Sequence, residues 1–365
     1  MSYANSVAFI FEVSHGCQMK CQGCNVDKHS PKLPPQASMD KLLQLFRDLK
    51  AWGIPFMEIE LGPTDLMSAA NRDQIFESPE IRELTRMFLL TTITSSFIYP
   101  DKDDYKRLAR QVHELAPDNW VGLAVPLEMR HVFNDKYVDL IRRNVQVFKE
   151  HLPNRLNETI LNVIFDERYL SNVGSKYSYE DLFSRVHDLR LTDNTKVDFV
   201  FHHGRSKIES SWVASDFLHS LKELNRHYLR DLRSRSIDNI EARHVPYQLS
   251  CDGRGGEILY HDNELYFRPV INERITVLSD KMKFKGEWTL ENYFNNLFSR
   301  YNSNMEKAMS YNDCPKCEHV AMCADRYIHD LMDVCGTKDC LTLLKSHGGF
   351  ANEIKKEDLQ KFSLI

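Results

Sequence analysis

No long apolar run occurs in this 365-residue chain. The longest near the N-terminus, Val7–Phe11, is cut off by Glu12, which excludes both a signal peptide and a membrane-spanning helix there. No charge of one sign dominates either. With 47 Lys and Arg against 52 Asp and Glu, the formal net charge is −5, so the whole protein offers no electrostatic basis for binding nucleic acid or an anionic membrane. Glycine (14) and proline (13) are sparse, and no low-complexity linker or sequence repeat is present, so collagen-like and disordered chains are excluded. The length suits two ordinary domains, or one large α/β domain with an appendage. Cysteine, too, is missing from one long stretch, between Cys24 and Cys251.

Where cysteine does occur, it gathers. Cys17, Cys21 and Cys24 stand near the N-terminus, and Cys314, Cys317, Cys323, Cys335 and Cys340 crowd one C-terminal stretch. Without an export signal the chain is expected in the cytoplasm, where thiols stay reduced, so disulfides explain these groups poorly. Soft thiolates at short spacing point to zinc or iron–sulfur.

Between the clusters, apolar β-branched runs alternate with helical patterns. Strands are predicted at Val7–Val13, Phe56–Leu61, Leu89–Thr94, Val121–Val125, Thr159–Phe165 and Val197–Phe201. Ser38 is the expected N-cap of a helix carrying Leu42, Leu43, Phe46 and Leu49, and Ser78-Pro79 starts another with Ile81, Leu84 and Phe88 on one face. Asp103–Leu115, Lys136–His151, Tyr179–Leu189 and Ser211–Arg235 continue the pattern. These are six βα units, hence a parallel sheet with helical crossovers. Periodicity leaves open whether the sheet curls into a partial barrel or lies flat and doubly wound. After about Arg243 the character changes, with a hairpin around Asp262-Asn263 and a helix near Leu290–Tyr301.

The first strand runs into Ser14-His15-Gly16-Cys17-Gln18-Met19-Lys20-Cys21-Gln22-Gly23-Cys24. Three thiolates on one loop can hold three irons of a cubane and leave the fourth iron open to a ligand. A zinc knuckle completed by His15 or His29 is the alternative. The C-x3-C-x2-C triplet after the first strand of a βα array resembles the radical S-adenosylmethionine (SAM) superfamily. That resemblance, over roughly residues 1–240, implies a partial (βα)6 TIM-like barrel at 1–243. It also implies a 4Fe–4S cluster on Cys17, Cys21 and Cys24, with SAM bound at the open iron and cleaved to a 5′-deoxyadenosyl radical. Two positions depart from the family: Gly23 replaces a usual aromatic, and the second strand ends Glu60-Leu61-Gly62-Pro63-Thr64-Asp65 in place of a Gly-Gly-Glu type motif. Gly62 keeps the close backbone approach, and Thr64 or Asp65 is the expected acceptor for the SAM amino group.

Cys314-Pro315-Lys316-Cys317 followed by Cys323 is similar to the auxiliary-cluster domain called SPASM, or its shorter twitch form. This resemblance implies a small α+β iron–sulfur domain at 244–365. Arg268 and Tyr327 stand where the family has ligands of a first auxiliary cluster, so only a second is expected, on Cys314, Cys317, Cys323 and Cys340, with Cys335 as the alternative fourth ligand. Cys251 is left as an orphan thiol, a ligand in a rearranged site or a catalytic acid. A zinc ribbon is the competing reading of this segment.

Polar residues at strand ends are candidates for SAM and substrate: Thr94, Ser95, Ser96, Glu128, Asp166, His202, His203 and Arg205, with Tyr327 from the cluster segment. Among them Ser95 and Asp166 are expected at the cofactor, and Asp166, His202, Arg205 and Tyr327 at the chemistry. The resemblance implies hydrogen-atom abstraction from a precursor-peptide side chain to give an oxidised or crosslinked product, with a flavodoxin- or ferredoxin-type electron donor. No leader-binding winged domain is expected ahead of the first strand. Oxidation of a small molecule, such as an amino acid or sugar alcohol, and a non-catalytic zinc-binding interaction protein are the alternatives.

Overall fold

The computed structural model describes residues 7–18, 33–152, 154–165, 181, 184–186, 189, 191, 195–201, 257–268, 283–311 and 313–317. Six predicted strands are present as β1 (Val7–Glu12), β2 (Phe56–Gly62), β3 (Leu90–Thr94), β4 (Trp120–Glu128), β5 (Leu156–Phe165) and β6 (Thr195–Phe201). Each pairs in parallel with its neighbour in sequence, so the sheet reads β6-β5-β4-β3-β2-β1 without a reversal. A doubly wound sheet reverses at a switch point. Here every crossover steps the same way, and right-handed crossovers of that kind put all helices on one face. The sheet is therefore the singly wound, partial-barrel type.

The helical layer bears this out. It runs α1 (Gln36–Ala51), α2 (Arg72–Glu77), α3 (Pro79–Thr85), α4 (Lys102–Leu115), α5 (Met129–Val132) and α6 (Asp135–His151), with α1 against α3, α3 against α4, and α4 against α6. Beneath it lies an aromatic core. Phe9 packs on Phe46 at 4.8 Å between ring centroids, and Phe88 lies 5.7 Å from Phe46 and 5.1 Å from Phe56. Burial of each such ring contributes about 1.5–3 kcal/mol. Alternation along the strands sends Glu12, Glu58, Glu60, Thr92 and Thr94 to the opposite, concave face.

Local chemistry sets most helix starts. Ser78 Oγ accepts from Ile81 N at 3.2 Å with Pro79 behind it, as its sequence predicts. Asp101 and Asn134 cap α4 and α6 by the same device. The expected cap Ser38 is not one: α1 begins at Gln36 after Pro35, and Ser38 N already donates to the Pro35 carbonyl within the first turn. Phe88 lies past the end of α3, packed into the core rather than along the helix.

The C-terminal hairpin forms as predicted. β7 (Glu257–His261) and β8 (Glu264–Arg268) are antiparallel around Asp262 and Asn263, whose φ values of 45° and 66° are those a two-residue primed turn requires. β7 pairs in parallel with β1, so the hairpin expected in the second domain extends the sheet of the first. A further helix, α7 (Leu290–Met309), is longer than its sequence pattern suggested and meets α1 through Phe294 and Trp52, 5.9 Å apart. Phe267 of β8 stacks on Phe284 at 5.6 Å and meets Tyr293 at 5.4 Å, tying hairpin and helix together. Among the described residues, no helix is long and apolar enough to cross a membrane.

Candidate active site

The site is built where β1 and β2 end. Val13 N and Ser14 N both donate to the Gly62 carbonyl, at 2.8 and 2.9 Å, so the strand pairing continues into the loop. Ser14 Oγ then accepts from Thr64 N at 3.0 Å and from Thr64 Oγ1 at 2.7 Å. Asn71 bridges the loop, donating to the Val13 carbonyl at 2.8 Å and accepting from His15 N at 3.0 Å, while Ala70 N donates to the His15 carbonyl at 2.7 Å. The backbone of residues 13–18 is thus held by the segment between β2 and α2. That arrangement presents Cys17, half-buried, at the C-terminal edge of the sheet.

Gly16 is what allows this closeness. Its φ is +72°, and a Cβ built there would lie 2.5 Å from the Ala70 Cβ. Ser68 completes the bracket: Gln18 N donates to its Oγ at 3.3 Å, and that hydroxyl reaches Cys17 Sγ at 3.5 Å and the Asp65 carbonyl at 3.3 Å.

Asp65 anchors the bracket to β3. One carboxylate oxygen accepts from Met67 N (2.9 Å) and Ser95 Oγ (3.0 Å), the other from Ser96 N (2.8 Å) and Ser96 Oγ (2.5 Å). Burial pushes its carboxyl above the ordinary range, and these donors from Ser96, Ser95 and Met67 pull the other way. All four bonds are internal to the protein, and through them Asp65 ties the segment after β2 to Ser95 and Ser96 at the end of β3.

Around this loop the concave face is polar. Thr92 Oγ1 donates to Glu58 Oε1 at 2.5 Å and Thr94 Oγ1 to Glu60 Oε1 at 3.1 Å, two rungs on adjacent strands. At the end of β1, Glu12 Oε2 meets His261 Nδ1 of β7 at 2.6 Å. At the end of β4, Glu128 is buried and takes Arg130 Nε at 2.5 Å. Its backbone N donates to His131 Nδ1 at 3.3 Å. Burial, helped by Arg130, pushes His131 down to about 4, so the ring is neutral near pH 7 and its 3.9 Å approach to Glu128 is no ion pair.

No protein-family model matches the chain, and no curated protein does. Solved structures match over nearly their whole length. Native anSMEcpe with bound AdoMet gives a TM-score of 0.57 at 12% identity, covering 98% of this chain and 99% of that one. The complex of anSMEcpe with AdoMet and the Cp18Cys peptide gives 0.58 at 11% identity, over 98% and 99% of the two chains. That with the Kp18Cys peptide gives 0.54 at 13%, over 99% and 100%. At such identities the likeness is one of fold. The chain has the fold of an AdoMet-binding protein.

Of the sequence-predicted residues, the fold brings Cys17, Gly62, Thr64, Asp65 and Ser95 into one neighbourhood, through the contacts above. Among the described residues, a Cβ on Gly62 would meet Thr94 Oγ1 at 3.7 Å and Glu60 Oε1 at 3.9 Å, ordinary van der Waals contacts. Cys314 and Cys317 lie on one tight turn after α7, where Cys317 N donates to the Cys314 carbonyl at 3.0 Å. Cys21, Cys24, Cys323, Cys335, Cys340, Cys251, Asp166, His202, His203, Arg205 and Tyr327 lie outside the described residues. Among the described residues, no three His, Cys, Asp or Glu side chains gather as a metal site. Sequence reasoning passed over Ser14, Ser68, Asn71 and the Glu12–His261 pair. The i, i+2 recurrence of Glu58 and Glu60 beside the buried Ile59 and Leu61 was the one visible signal for the polar concave face.

Proposed function

We propose that this chain is a radical SAM enzyme acting on a peptide side chain. The observation that carries the reading is the placing of Cys17 at the end of β1, on a loop clamped to the β2–α2 segment, in a fold shared with an AdoMet-bound protein. The donor set fits the group it would hold: three thiolates in a C-x3-C-x2-C run, with a glycine at residue 16 where a side chain would collide. Cys17, Cys21 and Cys24 would hold the 4Fe–4S cluster. When bound, that cluster with SAM supplies one electron and a 5′-deoxyadenosyl radical, which removes a hydrogen atom from the substrate.

The protein's own groups prepare the site. Ser14, Thr64 and Asn71 fix the path of the loop, and Asp65 with Ser95 and Ser96 fixes the segment behind it. Gly62 leaves room beside Glu60 and Thr94, where a carboxylate and a hydroxyl face the space an amino group of SAM would use. Asp166 is assigned to the same cofactor, and His202, Arg205 and Tyr327 to the substrate. Residues 1–243 form the barrel and 244–365 a SPASM/twitch-like domain. In it Cys314, Cys317, Cys323 and Cys340 (or Cys335) would hold one auxiliary 4Fe–4S cluster, which would supply an electron acceptor for a net oxidation. A flavodoxin- or ferredoxin-type protein is the reductant. The peptide substrate is favoured over a small molecule because two of the matching structures carry peptides.

The test is iron and sulfide content of anaerobically reconstituted protein, beside a Cys17→Ala/Cys21→Ala/Cys24→Ala variant, with 5′-deoxyadenosine formation from SAM under reduction. About eight irons falling to about four in the variant is expected for two four-iron cubanes. About four falling to none removes the auxiliary cluster. A colourless protein with stoichiometric zinc overturns the enzyme reading.

A further inference from the structure

We propose that Ser68 is a positioning residue that sets the reduction potential of the cluster held by Cys17. The inference rests on the function proposed above, and it concerns how easily the site is loaded with its electron. Ser68 Oγ lies 3.5 Å from Cys17 Sγ, a hydrogen-bonding distance for a hydroxyl and a sulfur.

The hydroxyl is held in place from two sides. Gln18 N donates to the same oxygen at 3.3 Å, which leaves the hydroxyl proton to be given away. Ser68 N donates to the Asp65 carbonyl at 3.0 Å, closing a turn whose carboxylate end is fixed to β3 by Ser95 and Ser96. A chain of short contacts thus runs from the end of β3 through Asp65 and Ser68 to Cys17. The proton has two acceptors within reach, Cys17 Sγ and the Asp65 carbonyl at 3.3 Å. A metal-bound thiolate carries negative charge and a peptide carbonyl does not, so the sulfur is the stronger acceptor once the ligand is ionised.

The consequence follows from charge. Reduction adds an electron that is shared with the cluster's thiolates, so a donor aimed at one of them stabilises the reduced state more than the oxidised one. Hydrogen bonds to cluster sulfurs are among the factors that set such potentials. Ser68 therefore raises the midpoint potential and eases the one-electron step on which SAM cleavage depends.

Ser68→Ala removes the hydroxyl and keeps the backbone turn, and Ser68→Thr keeps both. The measurement is a redox titration of the full-length reconstituted protein followed by EPR, taking as the N-terminal cluster the signal that changes when SAM is added. In Ser68→Ala the reduction equilibrium should become about tenfold less favourable, a lowering of ~59 mV for a one-electron couple. Iron and sulfide should stay at the wild-type level, and Ser68→Thr should keep the wild-type potential. An unchanged potential in Ser68→Ala overturns the proposal. So does an equal shift in both variants, and so does loss of iron in Ser68→Ala, which would make Ser68 part of the scaffold. A wild-type protein with no SAM-responsive iron signal fails earlier, and overturns the proposed function itself.

Discussion

Gly16 and Ala70 touch at the base of the loop that carries Cys17: a Cβ built on residue 16 would stand 2.5 Å from the Ala70 Cβ, where φ is already +72°. Both effects oppose any side chain. An L-residue in the left-handed region costs about 1–2 kcal/mol, and overpacking about 1–3 kcal/mol more. The loop has an easier escape than the barrel, since releasing residues 14–17 relieves both. Gly16→Ala should therefore fold and melt near the wild-type temperature while losing the iron assigned to Cys17, Cys21 and Cys24. Iron analysis beside far-ultraviolet circular dichroism checks it. A variant with full iron content would mean that the loop accommodates the methyl group.

Asp65, expected at the cofactor, also ties the segment after β2 to the end of β3. Four donors converge on its two carboxylate oxygens. In Asp65→Asn one oxygen becomes an amide nitrogen that faces one backbone N–H and one serine hydroxyl; the hydroxyl can turn to accept but the N–H cannot, so at least one buried bond is lost. A loss of about 1–3 kcal/mol is expected. Urea denaturation should show a lower midpoint with an unchanged slope. A midpoint equal to wild type would return Asp65 to the list of ligand-facing residues.

The barrel was legible because short apolar, β-branched runs such as Val7–Val13 and Leu89–Thr94 and period-3.6 patterns such as Leu42–Leu49 are separated cleanly in the sequence. What periodicity left open, curled or doubly wound, is decided by strand order, a property of long-range pairing that no local pattern encodes. The loop after β1 was singled out in the sequence by its three cysteines. Its bracket was not: Ser68 and Asn71 meet Gln18 and His15 across 50 and 56 positions of sequence. The Glu12–His261 contact joins residues 249 apart, through a β1–β7 pairing that the placing of a domain boundary near Arg243 obscured. Ser38 misled for a local reason, since Pro35 already supplies the turn that starts α1.

Gly122 reverses the usual sign of a strand glycine. Replacing glycine by alanine inside a strand ordinarily stabilises, by about 0.5–1 kcal/mol. Here the new Cβ would stand 2.5 Å from Thr92 Oγ1, which donates to Glu58 on the concave face. Gly122→Ala should destabilise by about 1–3 kcal/mol, because Thr92 must leave its rotamer or β4 must shift. Thr92→Ala clears the collision, so the double variant should be more stable than the two single effects sum to. A coupling of at least about 0.5 kcal/mol in that cycle is expected. Additive effects would mean that the strain is relieved elsewhere.

His131 gives the protein an acid limb of its own. Burial and the Arg130 charge hold the ring at about 4 in the folded protein, against 6.5 for a free histidine. Between these values the unfolded chain binds a proton that the folded one refuses, so stability falls as pH drops from about 6.5 to about 4 and is unaffected by this group above that window. The full effect is on the order of 3 kcal/mol, from 1.36 kcal/mol for each unit between the two values. His131→Gln keeps an acceptor for Glu128 N and has nothing to titrate, so its stability should be flatter with pH across the same window. Chemical denaturation of the two proteins from pH 7 to pH 4 measures the difference. Parallel curves would show that His131 takes up its proton in the folded protein as readily as in the unfolded chain, with Glu128, 3.9 Å from Nε2, as the carboxylate placed to receive it.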